Sequence, residues 1–273
     1  MDITLRDFLE EKAKEIRKLT IKSIGSIGSG HIGGCLSIIE VLAVLYFDVM
    51  NIDVKHPHKE DRDRIVVSKG HAGPAVYSAL ALRGFFPIEE LYTLNKPLTN
   101  LPSHCDMNKT IGIDMTAGSL GQGLSCAVGM AKVSKIRKSQ EYIYSIIGDG
   151  ESQEGQIWEA SMAAAQYKLD NLIVFLDYNK FQIDGSIDEV MSLISPLDKW
   201  KSFGFNVLEI DGHDVLAIRD AINTMKTYKD KPSMIILNTV KGKGVSYVEA
   251  AGAANHSMKI NEEQVKIALK ELE

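Results

Sequence analysis

A chain of 273 residues, 45% of them apolar and 25% charged, is long enough to bury a sizeable core as one large domain. Its formal net charge of -5, with lysines scattered and no basic stripe, excludes the phosphate-backbone footprint that a nucleic-acid partner requires. Cys35, Cys105 and Cys126 are odd in number, far apart and without a C-x-x-C pair, so neither a disulfide framework nor a zinc site is indicated.

The first stretch, "MDITLRDFLEEKAKEIRKLT", is highly charged and lacks the uninterrupted apolar run of a secretory signal. The apolar stretch "LSIIEVLAVLYFDVM" carries Glu40 and Asp48 in a span too short for a membrane helix, so the expectation is a cytoplasmic protein with no membrane partner. Ile3, Leu5, Phe8, Leu9, Ala13, Ile16, Leu19 and Ile21 fall near helical spacing and predict an amphipathic first helix. A glycine-rich bend, "GSIGSGHIGG", follows, and then a second helix through "SIIEVLAVLYFDVM". Further on, Gly118, Gly121 and Gly123 make a loop ahead of a small-residue helix, a form suited either to backbone contact with a ligand or to plain packing.

The later half alternates apolar runs with helical stretches: "YIYSII", "IWEASMAAAQYK", "NLIVFLD", "NVLEIDG", "VLAIRDAINTMKTY" and "SMIILNTV". Such alternation predicts an α/β fold, a doubly wound and mostly parallel sheet with helices on both faces. No repeat, low-complexity segment or linker interrupts it, so residues 1–273 are expected to form one domain. In such sheets ligands sit beyond the carboxyl ends of the strands.

Two glycine patterns are lures. Gly28, Gly30 and Gly33 satisfy G-x-G-x-x-G, but a helix and not a strand precedes them, so nicotinamide or flavin binding ranks last. "GESQEGQI" has P-loop spacing without the required lysine and hydroxyl residue. In "IIGDGESQEGQIWEA", Asp149 between glycines at a strand end is either turn chemistry or a cation ligand. The next run ends at Asn179 after one crossover helix, so a carboxylate and an amide oxygen can meet in one crevice. With a backbone carbonyl they make half of an octahedral shell for a hard cation, whose other positions suit a diphosphate, and a helix N-terminus after Gly150 would add N–H donors. His31, His71, His104 and His256 stand in loops beside glycine or proline or in short irregular contexts; His56, His58 and His213 are assigned no role.

"GDGESQEG" followed by "LDYNKFQIDG" resembles the thiamine-diphosphate motif, and "GSGHIGG", "DRDRIVVSKGHAGPAVYSALALRGFF", "SLGQGLSCAVGMA" and "TVKGKGVSYVE" extend the resemblance, in order, to transketolases. The resemblance implies the N-terminal subunit of a split enzyme. The pyrimidine-binding and C-terminal domains, with the glutamate and aromatic residues that serve the aminopyrimidine ring, are then expected on a partner chain in an α2β2 assembly. It further implies thiamine diphosphate and Mg2+, with Ca2+ or Mn2+ as substitutes. The metal ligands would be Asp149, Asn179 and the carbonyl of Phe181, which stands where the family usually has isoleucine. Gly118, Gly150 and His71 would lie against the diphosphate, with Asn179 beside them, and Leu120 and Ile183 would flank the thiazolium. Glu154 resembles the acid that links the two cofactor sites. His31, His104 and His256 resemble the histidines that bind donor hydroxyls and move protons.

The activity so implied is ketol transfer: the C2–C3 bond of a ketose phosphate breaks and a two-carbon unit passes to an aldose phosphate, by default in the pentose phosphate pathway. Deoxyxylulose-phosphate synthesis, the decarboxylating subunit of a 2-oxoacid dehydrogenase and a non-catalytic cofactor-binding subunit are the competing expectations.

Overall fold

The computed structural model describes residues 4–273, so Ile3 of the predicted first helix lies outside the described residues. Helix α1 spans Leu5–Gly25 and starts in a capping box, in which the Thr4 hydroxyl accepts from the Asp7 N–H and the Asp7 carboxylate accepts from the Thr4 N–H. Of the predicted stripe, Leu9, Ala13, Ile16 and Ile21 are buried, joined by Ile24, while Leu19 is half-buried and Leu5 and Phe8 are exposed.

The expected bend and second helix divide differently. Gly33 and Gly34 lie inside a short helix, α2 (Ile32–Leu36), and a Cβ on Gly33 would stand 2.0 Å from the side-chain oxygen of Asn255. The glycine is there because another segment packs onto its backbone. The chain then breaks at Ser37–Ile38 before α3 (Ile39–Val44) and a wide helical turn over Leu45–Val49. The break turns the Ser37 hydroxyl onto Asp177, 2.7 Å away. Helices α4 (Gly73–Arg83), α5 (Gln122–Arg137) and α6 (Gly155–Gln166) follow; Gly123, expected in the loop, is already in α5.

Nine strands form among the described residues, in chain order: β1 (Ser29–Gly30), β2 (Arg64–Val67), β3 (Ile143–Gly148), β4 (Leu172–Tyr178), β5 (Phe181–Gln182), β6 (Gly185–Ser186), β7 (Asn206–Asp211), β8 (Ser233–Asn238) and β9 (Met258–Lys259). Five of them make the central sheet in the order β2-β3-β4-β8-β7, parallel throughout, while β1–β9 and β5–β6 are two-residue antiparallel ribbons. Successive residues of one strand feed two cores. Ile173 and Phe175 pack with α1, α3 and α4, whereas Leu172, Val174 and Leu176 pack with α5, α6 and the fully buried Trp200. That division is the two-sided covering a parallel sheet needs. Truncating a side chain as buried as Phe175 costs about 3–5 kcal/mol.

Candidate active site

Strands β2, β3, β4 and β8 all point their carboxyl ends at one cavity of about 410 Å³. The register sets Gly148 beside Asp177, so the segments leaving β3 and β4 start level. Asp149 follows directly. Its Oδ1 accepts from the Gly150 N–H at 2.8 Å and its Oδ2 from the Lys180 N–H at 2.6 Å. Burial, then the charge of Asp177, push its carboxyl up to about 7, and these N–H groups only partly offset that.

Beyond Tyr178 the chain reverses through Lys180, at φ 68°, into the β5–β6 ribbon. Asn179 donates its amide N–H to Asp177 at 2.8 Å, which turns its Oδ1 toward the Phe181 N–H at 3.2 Å. The Phe181 carbonyl accepts from Lys241 at 3.2 Å. The Lys180 N–H thus ties Asp149, which leaves β3, to the turn after β4 that carries the other two oxygens singled out by the motif. Asp149 and Phe181 line the cavity, and Asn179 is buried beside them.

Every other residue singled out also lines this cavity: His31, His71, His104, His256, Gly118, Leu120, Gly150, Glu154 and Ile183. A Cβ at Gly118 would meet nothing within 4 Å, so the glycine leaves free room on the cavity wall. Leu120 and Ile183 are exposed, at 38% and 66%. The α-helix expected right after Gly150 starts later, because a tight turn over Glu151–Gln153 intervenes and α6 begins at Gly155 with exposed Glu154 at its N-cap.

The histidines form one cluster. His31 has ring centroids 5.4 Å from His71, 5.7 Å from His104 and 5.3 Å from His256, and His71 is 5.0 Å from His256. Burial first, then neighbouring cations and imidazoles, lower the pKa of His31, push His71 well down and take His256 to about 4. Each of these three rings is then neutral around pH 7, with one N–H to donate and one nitrogen to accept. His56 instead pairs with Asp53 on an exposed turn, and His213 bridges Glu40 and the Val240 N–H.

Four polar residues of the site escaped the sequence reading. Asp177, fully buried at the end of β4, accepts from Lys69 at 2.5 Å, Ser37 at 2.7 Å, Thr239 at 2.5 Å and Asn179. Burial alone would raise its pKa, but Lys69 and the hydroxyls hold it below the usual carboxylate range. Glu151 is buried as well and accepts from the Ser68 hydroxyl, the Gly121 N–H at 2.8 Å and the Gly148 N–H at 3.0 Å, tying three loops under the cavity. Lys241 lines the cavity, and burial, then Lys69, bring its ammonium down to about 8. The available signal was a charge closing an apolar run, as in "NLIVFLD", or standing just before loop glycines, as in "VKGKG". The GxGxxG lure resolves into the end of α1, the ribbon strand β1 and α2, which is not a dinucleotide-binding turn.

Known proteins share this fold and sequence pattern. The family described as "Transketolase, thiamine diphosphate binding domain" matches residues 9–272. The chain is 57% identical to the 6-deoxy-6-sulfo-D-fructose transketolase subunit SqwG of Clostridium sp. (strain MSTE9), over 97% of this chain and 96% of that protein. It is 40% identical to an apulose-4-phosphate transketolase subunit from Phocaeicola vulgatus, over 97% of this chain and 93% of that one. The transketolase structure from Campylobacter jejuni superposes with a TM-score of 0.90 at 31% identity, covering 97% of this chain and 42% of the other. On the fold, the motif order and these matches together, the chain belongs to the transketolase family, in its thiamine-diphosphate-binding domain.

Proposed function

We propose that this chain is the diphosphate-binding subunit of a two-chain transketolase, and that its donor ketose is 6-deoxy-6-sulfo-D-fructose. The single observation that carries the donor is the 57% identity to a subunit named for that sugar, against 40% to one named for apulose 4-phosphate. The two-chain reading rests on the same relatives, which are of this chain's length and are named as subunits. Residues 1–273 would form one domain, and a partner chain would supply the pyrimidine-binding part, two copies of each completing two sites. A cytoplasmic setting belongs to the same proposal and suits the free thiols Cys35, Cys105 and Cys126.

The pocket fits the group it would hold. Its donor set is hard oxygen: a carboxylate, an amide and a carbonyl, as Mg2+ prefers. Among the described residues Asp149 has only backbone N–H partners, and its pKa is raised to about 7, an acid whose burial a divalent cation would relieve. Asp149, Asn179 and the Phe181 carbonyl would hold the metal. Gly118, Gly150 and His71 would lie along the diphosphate, and Leu120 and Ile183 would bracket the thiazolium. When bound, thiamine diphosphate supplies the electron sink for breaking the bond between C2 and C3 of the ketose.

This chain's part in the chemistry is orientation and proton handling. Asp177 fixes which face of Asn179 carries the oxygen. Neutral His31 and His256, with His104, would hydrogen-bond the donor's hydroxyls and carry a proton at a ring nitrogen during cleavage. Leu120 and Ile183 would exclude water once a partner covers them. Glu154, at the exposed mouth, would connect to the second site.

The test is ketol transfer to an aldose phosphate from three donors, namely 6-deoxy-6-sulfo-D-fructose, fructose 6-phosphate and xylulose 5-phosphate, with the chain alone and with the complex captured from its native lysate. Activity only in the complex, and best with the sulfonated sugar, is the expected result. Equal or better use of the phosphorylated ketoses overturns the donor, and full activity of the chain alone overturns the two-chain reading.

A further inference from the structure

A second buried network lies on the far side of the sheet from α5 and α6, and it ends on the bend that carries Lys241. Arg17 of α1 pairs with Glu40 of α3 at 2.5 Å, both side chains 8% exposed. The other oxygen of Glu40 meets Nδ1 of His213 at 3.0 Å, and Nε2 of His213 accepts from the Val240 N–H at 2.8 Å. Arg17 returns to the same bend, donating from Nε to the Lys243 carbonyl at 2.9 Å. A backbone N–H can only donate, so Nε2 carries no proton and Nδ1 bears the hydrogen given to Glu40. The ring is thus fixed in one neutral tautomer by partners on both sides. Burial by itself would raise the pKa of Glu40, but Arg17 and His213 hold it below the usual range, so it is an ionised acceptor.

Within its own segment the bend is also tied by the Gly244 N–H, which donates to Glu249 at 2.7 Å, and by the buried Val245 and Val248. It reverses through Gly242 and Gly244, at φ 91° and 88°. From the cavity side Gly242 donates to the Gly33 carbonyl at 3.0 Å, and Asn255 donates to the Lys241 carbonyl at 3.1 Å. Thr239, just before the bend, bonds Asp177, and Lys241 within it bonds the Phe181 carbonyl. A small shift of Val240–Gly244 would therefore move two groups that touch the proposed metal-binding segment.

We propose that Glu40, Arg17 and His213 form a positioning network, which clamps the Val240–Gly244 bend so that Lys241 stands at the Phe181 carbonyl in the geometry the diphosphate pocket requires. The purpose assigned to the clamp rests on the cofactor reading above; the clamp itself does not. None of the three residues lines the cavity, so the network reaches it indirectly, through the bend that it bonds.

The experiment uses the full chain without cofactor, as wild type, His213→Ala and His213→Gln, because glutamine can still accept from the Val240 N–H and donate to Glu40. Hydrogen exchange followed by peptide mass spectrometry should show residues 239–247 opening about tenfold faster in His213→Ala, with residues 122–137 unchanged and His213→Gln close to wild type. Calorimetry with Mg2+ and inorganic diphosphate as the probe should show about tenfold weaker binding in His213→Ala, the size of loss usual for a supporting partner of a metal site. No change at 239–247, or equal acceleration along the whole chain, overturns the clamp. Faster local exchange with undiminished diphosphate binding overturns its link to the pocket. A wild-type chain that binds no magnesium diphosphate indicts the pocket reading instead, and the exchange result then decides the clamp on its own.

Discussion

The floor and the rim of the cavity are built on opposite principles. On the floor, Asp149, Asp177, Asn179, Lys69 and Glu151 are all buried; Asn179 bonds its near neighbours Asp177 and Phe181, and the other four are hydrogen-bonded to segments distant in sequence. On the rim, Leu120 and Ile183, with Met191 and Ile194 nearby in sequence, are 38% to 86% exposed. Buried polar groups are retained at a cost unless every partner is present, whereas exposed apolar groups gain only when something covers them. The side chains of the floor therefore hold one another within this chain, whereas the rim is a surface that a ligand or partner would finish.

If that contrast holds, damage to the floor should dominate. The largest effect belongs to Asp149→Ala, which removes the one charged oxygen donor of the proposed metal set. Magnesium-dependent thiamine diphosphate binding should fall by more than ~100-fold, since even outer partners of a metal cost ~10–100-fold. Calorimetric affinity within threefold of wild type would sink the ligand assignment. Next comes Asp177→Ala, which leaves Lys69 buried without its partner and frees Ser37, Thr239 and Asn179. A loss of about 3–5 kcal/mol in urea unfolding is expected. A loss under ~1 kcal/mol would mean that the floor is not held together by this carboxylate.

These two residues also show where the sequence was legible. Asp149 stands out between glycines at a strand end, while Asp177 reads as the last letter of an apolar run and shows its importance only when Ser37, Lys69 and Thr239 converge on it from three segments. Strands β3, β4 and β8 were legible because both faces are covered and their apolar runs are nearly unbroken. Strand β2 was not, being four residues long behind the charged "DRDR". The short helix α2 where a bend was expected, and the break before α3, depend on Asn255 packing onto Gly33 and on Ser37 reaching Asp177, contacts that no local pattern encodes. His256 had the least distinctive context of the four cluster histidines, and the C-terminal segment brings its ring within 5.3 Å of His31.

The pH dependence of folding separates Asp149 of the floor from the imidazoles above it. His256, taken from an ordinary 6.5 to about 4, protonates first in the unfolded chain, so its contribution is lost as pH falls from 6.5 toward 4. His31 and His71 act in the same direction. Asp149 acts in the other. Raised from 3.8 to about 7, it protonates first in the folded chain, and the stability so gained is full below 3.8 and lost as pH rises through 7. Urea midpoints of the metal-free chain measured from pH 7 down to 4 should fall less steeply in His256→Asn than in wild type, and more steeply in Asp149→Asn. Parallel curves for all three would show that neither group changes its proton affinity on folding.

The smallest expected effect is the sharpest test of the rim. Ile183 is 66% exposed in the β5–β6 turn, so Ile183→Ser should leave the unfolding free energy of the isolated chain within ~0.5 kcal/mol of wild type. The same change should weaken thiamine diphosphate binding in the assembled complex, because covering this side chain is what would give it value. Stability separates the two possibilities that exposure alone leaves together. If the isolated chain loses more than ~1 kcal/mol, Ile183 already packs on its own domain and the rim is no more open than the floor. If stability holds and cofactor affinity in the complex drops, the apolar surface beside Phe181 is used only after assembly, and the division of the site between two chains runs along that edge.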